Sequence, residues 1–350
     1  MTESTQTRPT VPVTILTGFL GSGKTTLLNH IISATHGLRI AVLVNDFGSI
    51  NIDAKLVVGV EGETVSLANG CVCCTMRDDL ATETVRLLSR PEPPEYILVE
   101  ASGISDPGLI AHTFLSSDLE AMVRVDSIIA VVDTDQLLEL CHDDLQLAFE
   151  QIDVADIVIL NKIDLVTRSK RDAVSERLRE LVPGARLLPA VHARVPVELI
   201  FGVDSRRLRS IENESDDINS HSHHSYGHGF HTWHWTSDRP LSLAAFRAAI
   251  ATLPATVYRA KGILQLRDYP QYKVEFQLAG KRSSLNASEL WSEPSPHSEL
   301  VFISSGEEES FDELQALLDG CTLEQLSEPA LVNWRDKPKK KETSWIPTTI

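Results

Sequence analysis

No apolar run in this 350-residue chain approaches the roughly eighteen residues needed to cross a bilayer. The first ten residues, MTESTQTRPT, also lack the apolar core of a secretory leader. These absences argue against a membrane partner and set the expectation of a cytoplasmic protein. Positive charge is scarce: 32 Lys and Arg stand against 49 Asp and Glu, a net charge of -17. Such a chain repels phosphate backbones, so nucleic acid is not an expected partner. Its one basic run, Lys337 to Lys341 interrupted by Pro338, lies near the C-terminus and reads as a solvated tail. Cysteine is too sparse for a disulfide framework: there are five, and three are crowded into Cys71, Cys73 and Cys74, a pattern suited to reduced thiolates that bind metal.

What is present is ordinary for a folded protein, 42% hydrophobic and 23% charged residues, which excludes global disorder and a fibrous architecture. The length suits two domains. Short Val- and Ile-rich runs at 12–16, 39–45, 95–100, 126–132 and 156–160 alternate with segments of helical pattern at 23–33, 77–89, 136–149 and 170–181. That alternation predicts an α/β domain over 11–201, a mostly parallel sheet with helices on both faces, whose ligand loops lie at the carboxyl ends of its strands. Residues 202–229, acidic and then His-rich, read as a linker between this domain and a small α+β domain at 230–320. The latter is expected to lay two helices on one face of an antiparallel sheet. Residues 1–10 and 321–350 read as termini outside both.

VTILTGFLGSGKTT completes the pattern G-x-x-x-x-G-K-[ST] between an apolar strand and a helix. Gly18, Gly21 and Gly23 permit backbone angles and close approaches that a Cβ would block, so successive N–H groups, with Ser22 and Thr26 alongside, can cradle phosphate at a helix N-terminus. Lys24 supplies a charge for the β- and γ-phosphates, and Thr25 is the expected Mg²⁺ ligand. Asn161, Lys162 and Asp164 form N-K-x-D at the end of a later strand. The Asp164 carboxylate can accept from two guanine N–H groups that adenine lacks, the Asn161 amide can reach the far edge of the purine, and the Lys162 stem can cover its face. GTP is therefore the expected nucleotide. The remaining base-binding loop is expected near 190–194. YILVEASG ends a strand in Glu100 with Gly103 beyond it, where a P-loop protein keeps its γ-phosphate sensor and a carboxylate behind Mg²⁺. Asp46 and Asp53, in the switch-like segment NDFGSINID, could each order Mg²⁺ or the attacking water; Asp53 is the candidate carried forward.

Cys71-Val72-Cys73-Cys74 offers three soft thiolates before a helix, suited to Zn²⁺, Cu(I) or related ions, with a fourth position left for water, a side chain or a client's ligand. His221, His223, His224, His228, His231 and His234 are half of the chain's twelve histidines. Imidazoles on a linker, the first four above all, can collect divalent metal weakly; the same run could equally be a bland polar spacer.

GFLGSGKTT at 18–26, NDFGSINID at 45–53, NGCVCC at 69–74, EASGISDP at 100–107 and NKID at 161–164 together closely resemble the CobW family of metal-trafficking P-loop GTPases. The resemblance covers roughly residues 11–200, and the region 230–320 looks like that family's small C-terminal domain. It implies slow GTP hydrolysis coupled to delivery of zinc, cobalt or iron to a client metalloenzyme, or to the client's activation, and a homodimer is compatible with it. The family's switch usually reads N-E-F-G-E, whereas Asp46 and Ser49 replace both glutamates here. A metal buffer or a regulatory GTPase with a structural metal are the competing readings. Asp164→Ala is expected to weaken GTP binding by about a hundredfold. Nucleotide titration checks this, and comparable GTP and ATP affinities in the unaltered protein would remove the guanine assignment.

Overall fold

The computed structural model describes residues 10–34, 37–44, 64–66, 74–116, 119–201, 224–226, 230–292, 295–305 and 309–322. The chain divides into two compact units, residues 1–200 and 201–350. In the first, β1 (Val11–Thr17), β2 (Ile40–Val44), β3 (Thr64–Ser66), β4 (Tyr96–Glu100), β5 (Val123–Asp133), β6 (Ile157–Asn161) and β7 (Arg186–Pro189) form one sheet in the order β3-β2-β4-β1-β5-β6-β7. Every neighbouring pair is parallel. The helices between them are α1 (Lys24–Ser33), α2 (Cys74–Leu88), α3 (Pro107–Phe114), α4 (His142–Asp153), α5 (Arg168–Leu181) and α6 (Glu198–Phe201).

The strands are continuous apolar runs because both faces are covered; β4 and β6 are buried at every position. On one face Val13, Ile15, Leu43, Ile97 and Val99 meet Leu80 and Leu87 of α2 and Ile110 and Phe114 of α3. Further along that face Ala130, Val132, Val158 and Leu160 meet Ala148 and Ile152 of α4 and Val174 and Leu178 of α5. The alternate residues Leu16, Val42 and Leu98 look the other way and are fully buried, as are Leu27, Leu28 and Ile31 of α1, which approaches β4. At about 1.5–3 kcal/mol for each large apolar side chain, this burial is the main term holding the sheet together. The connection from β1 runs to β2 on one side, and β4 inserts between them before the chain crosses β1 to β5. That reversal opens a crevice at the carboxyl end of β1.

The helix expected over 136–149 is two elements. Asp133 at the end of β5 accepts through Oδ1 from the N–H groups of Asp135 and Gln136, which turns the chain into a short 3-10 segment, Leu137–Glu139. Leu140 and Cys141 are then extended, and α4 starts afresh at His142 with Asp143 and Asp144 in its first turn, where carboxylates complement the helix dipole.

The second unit is a six-stranded antiparallel sheet, order β12-β11-β10-β13-β9-β8. Its strands are β8 (His224–Tyr226), β9 (Phe230–Ser237), β10 (Val257–Gln265), β11 (Tyr272–Ala279), β12 (Arg282–Leu290) and β13 (Ser298–Ser304). Helices α7 (Leu243–Ala251) and α8 (Glu309–Gly320) contribute Phe246, Phe311, Leu314 and Leu318 to a single core with Trp233, Trp235, Phe276 and Phe302, so both cover one face. Trp233 stacks on Phe311 with centroids 5.9 Å apart, and the Trp235 indole N–H donates to Asp319 Oδ1 at 3.0 Å. The tail expected from 321 begins later: Cys321 is buried in this core, and its carbonyl accepts from the Ser242 N–H. The linker expected over 202–229 likewise gives up 224–226 to β8, and the polar edge strand β12 has no counterpart in the apolar pattern.

Gly262 of β10 lies where an added Cβ would collide with the carbonyl oxygen of Glu299 on β13. Gly262→Ala is expected to destabilise this unit by about 1–3 kcal/mol, the usual cost of overpacking. Urea unfolding followed by Trp fluorescence checks it, since Trp233 and Trp235 lie in that core.

Candidate functional site

The crevice at the end of β1 is occupied by the P-loop. Gly18, Gly21 and Gly23 have φ of 133°, 73° and 110°, the left-handed side of backbone space that favours glycine. Space closes on two of them as well: a Cβ on Gly18 would strike the Val131 carbonyl oxygen, and one on Gly23 the Asn161 side-chain nitrogen. Lys24, largely buried, turns its ammonium back to donate to Gly18 O at 2.8 Å and Phe19 O at 3.3 Å, so the charge sits under the loop's concave side. The Ser22 hydroxyl oxygen is buried without a hydrogen-bond partner among the described residues. Thr26 is exposed at the head of α1. A cradle that a Cβ would fill, with a cation beneath it, is the fit a triphosphate requires.

Two further pieces close on the phosphate side. The Thr25 hydroxyl donates to Glu100 Oε1 at 2.8 Å, joining the first turn of α1 to the end of β4. That oxygen pair has the hard donor chemistry Mg²⁺ takes. Beyond Glu100 the chain packs on the P-loop: an added Cβ on Gly103 would lie 2.5 Å from Leu20 Cδ2 and 3.0 Å from Leu20 N. Asp106 then caps α3, its Oδ1 accepting from the N–H groups of Gly108 and Leu109, with Pro107 at the first helical position.

On the base side the buried Asn161 amide is committed to backbone. Its Nδ2 donates to Ser22 O at 2.9 Å and its Oδ1 accepts from the Ala193 N–H at 2.7 Å. The expectation that Asn161 reads the far edge of the purine is thereby corrected: a buried backbone N–H and C=O need partners, and this amide supplies both. Lys162, in a left-handed conformation with φ 60°, sends its ammonium to Asp133 Oδ2 at 2.6 Å, which leaves the stem free to cover a ring face. Asp164 is exposed in the following turn, clear of the protein's own contacts and available to a ligand. Residues 190–194 lie beside it, Ala190 bonded to the backbone of Leu160 and Ile163. His192 and Ala193 there have φ of 52° and 53° and, with Lys162, are the non-glycine residues of positive φ among those described. Such strain gathers at binding sites. Asp133, His192 and Ala193 went unnoticed in the sequence; the rule that singled out Glu100, a carboxylate ending a parallel strand, also fits Asp133.

Several expected site residues fall outside the described part of the chain: Asp53 with Asp46 and Ser49, Cys71 and Cys73, and His221, His223 and His228. Cys74 opens α2 and His224 opens β8, and nothing is described of either side chain. Among the described residues no group of three His, Cys, Asp or Glu side chains could hold a metal ion. Of the remaining cysteines, Cys141 is exposed, and Cys321 is buried with its thiol pushed up to about 11 by desolvation. A neutral buried thiol is inert, so the soft-ligand reading stays with residues 71–74.

Residues 12–189 match the family described as the CobW/HypB/UreG nucleotide-binding domain, and residues 230–322 match the cobalamin synthesis protein cobW C-terminal domain. The chain belongs to the CobW/HypB/UreG family. Membership makes it a P-loop GTPase, with the cofactor pocket just described. Among similar proteins of the family, zinc-regulated GTPase metalloprotein activator 1 of Dictyostelium discoideum is 30% identical over 325 residues, covering 80% of this chain and 68% of that protein. The zinc chaperone CobW of a Sinorhizobium species is 29% identical, covering 80% and 85% respectively. The zinc chaperone YjiA of Escherichia coli K12 is 28% identical, covering 84% and 93%.

Asn161→Ala would leave both the Ser22 carbonyl and the Ala193 N–H without their side-chain partner. It is expected to destabilise the protein by about 1–3 kcal/mol and to weaken GDP and GTP together. Thermal unfolding and nucleotide titration of the one variant check both effects.

Proposed function

We propose that this GTPase is a metallochaperone that binds a transition metal at Cys71, Cys73 and Cys74, gates that site by its nucleotide state, and delivers the metal to, or thereby activates, a client metalloenzyme. Zinc is the first choice of cargo because the relatives above are named for zinc; cobalt and iron are the alternatives. A reducing compartment such as the cytoplasm belongs to the same reading, since the thiolates must stay reduced to bind metal.

The observation that carries the proposal is a short mechanical path. The loop after Glu100 packs on the P-loop and runs directly into α3 through the Asp106 cap. Helix α3 shares an apolar cluster with α2, whose Leu80, Leu87 and Leu88 lie against Ile110, Ala111 and Phe114. Helix α2 begins at Cys74, the last residue of the thiolate run. A shift of the loop on γ-phosphate loss is therefore passed through two packed helices to the segment bearing the ligands, and close-packed helices move as units.

At the nucleotide, Lys24 would leave the Gly18 and Phe19 carbonyls for the β- and γ-phosphates, and the P-loop N–H groups would hold the phosphate oxygens. Mg²⁺, which neutralises charge on those oxygens, would be held by the Thr25 hydroxyl with Glu100 behind it. Asp53 is the candidate for ordering the attacking water, and Asp164 for selecting guanine over a Lys162 stem anchored at Asp133. The histidines at 221, 223, 224 and 228 would hold metal weakly and without regard to nucleotide.

Coupling of the usual allosteric size, about 1–3 kcal/mol, predicts zinc affinities that differ roughly five- to a hundredfold between the GDP and GTP-analogue states. Competition titration with a chromogenic chelator measures this, on the unaltered chain and with all three cysteines changed to Ser. The triple variant is expected to lose the nucleotide-sensitive site while still binding GTP. Equal affinities in both nucleotide states would leave a metal-binding GTPase and remove the gated chaperone.

A further inference from the structure

Gln151 lies one turn from the end of α4 and is 1% exposed, in a stretch whose neighbours Ala148 and Ile152 belong to the apolar core. A primary amide there needs a reason. Its Nε2 donates to Gly103 O at 2.9 Å and to Ser105 O at 3.2 Å, two carbonyls of the loop that follows Glu100. Only the NH₂ end of the amide can meet two acceptors, so the orientation is decided by chemistry. The other end, Oε1, is buried with no hydrogen-bond partner among the described residues. A buried acceptor without a partner is costly, and an apolar side chain of the same size would avoid the cost. What the amide contributes is its grip on the loop.

We propose that Gln151 is a positioning residue for the γ-phosphate side of the nucleotide site. The inference rests on the reading of the Glu100–Ser105 loop as the part that senses the γ-phosphate. Peptide units are planar, with N–H pointing opposite to C=O. Fixing the Gly103 and Ser105 carbonyls toward α4 therefore fixes the Ile104 and Asp106 N–H groups toward the other side. The loop is held from the opposite side too, where Gly103 meets Leu20 of the P-loop so closely that no Cβ fits. Gripped at both sides, it presents its donors without reorganisation when the third phosphate arrives. Helix α4 thus enters the switch although none of its residues need touch nucleotide.

The test uses the full chain with Gln151→Met, which keeps the volume and removes both donors. GDP binding should change by no more than about twofold, while affinity for a non-hydrolysable GTP analogue falls about fivefold or more and kcat falls about tenfold or more. Equal losses for GDP and the analogue, or no change in either, would overturn the proposal. Gly103→Ala separates this from the underlying reading. If that variant loses analogue binding and Gln151→Met does not, the role of Gln151 fails alone; if Gly103→Ala is silent, the loop reading and the inference fall together. Gln151→Glu decides the matter should the Met variant fold poorly. A buried carboxylate facing two carbonyls is driven toward its neutral form, which regains one O–H donor. Its kcat relative to the unaltered protein should rise as pH is lowered from 8 toward 6, and a flat ratio would overturn the proposal.

Discussion

The nucleotide site hangs on one side-chain amide. Asn161 sits at the end of β6, yet its two bonds reach Ser22 in the P-loop and Ala193 in the turn after β7. Three loops from three strand ends are thereby held in one arrangement, and no other neutral side chain of that length offers a donor and an acceptor so placed. The contact also explains a residue far away in sequence: Gly23 must lack a Cβ because the Asn161 nitrogen occupies that space. Phosphate cradle and base platform are in this sense one object.

A parallel sheet makes such an object feasible. Its strands rise together and all end on the same side, so short side chains suffice to bridge neighbouring ends. Asp133 and Asn161 are register partners on β5 and β6, and the Asp133–Lys162 ion pair follows from that adjacency. Thr25 reaches Glu100 across the crevice, and Gln151 reaches the loop beyond Glu100 from behind. The buried strands supply rigidity; the polar bridges at their ends convert it into geometry that a charged ligand can read.

The second unit uses different physics. Its cohesion is aromatic, with Trp233, Trp235, Phe246, Phe276, Phe302 and Phe311 in one core between a sheet and two helices. Aromatic rings of this size bury large areas and fix one another's orientation, which suits a small unit with a modest core. The polar strand β12 closes one edge of its sheet without joining strongly in that core; Leu285 is the side chain it packs there.

The sequence by itself determined the strands that are apolar on both faces, the phosphate loop, the N-K-x-D run at a strand end and the thiolate triplet, because each is a local pattern whose chemistry is contained in consecutive residues. It also placed helices and strands of the second unit to within a few residues wherever apolar spacing was clear, as at Leu243–Ala251 and Tyr272–Ala279. It failed where the deciding partner is remote. The stop at Asp133 that divides 136–149 depends on a carboxylate folding back on its own turn, β12 depends on a neighbour to pair with, and Cys321 belongs to a core assembled from β9 to α8. Asn161 gives the sharpest contrast: its motif named it a guanine-site residue, but only the folded sheet brings Ser22 and Ala193, 139 and 32 residues away, within hydrogen-bonding distance of its amide. Periodicity and motif report what a segment can do, whereas the partner that satisfies a buried polar group is chosen by the packing of segments distant in the chain.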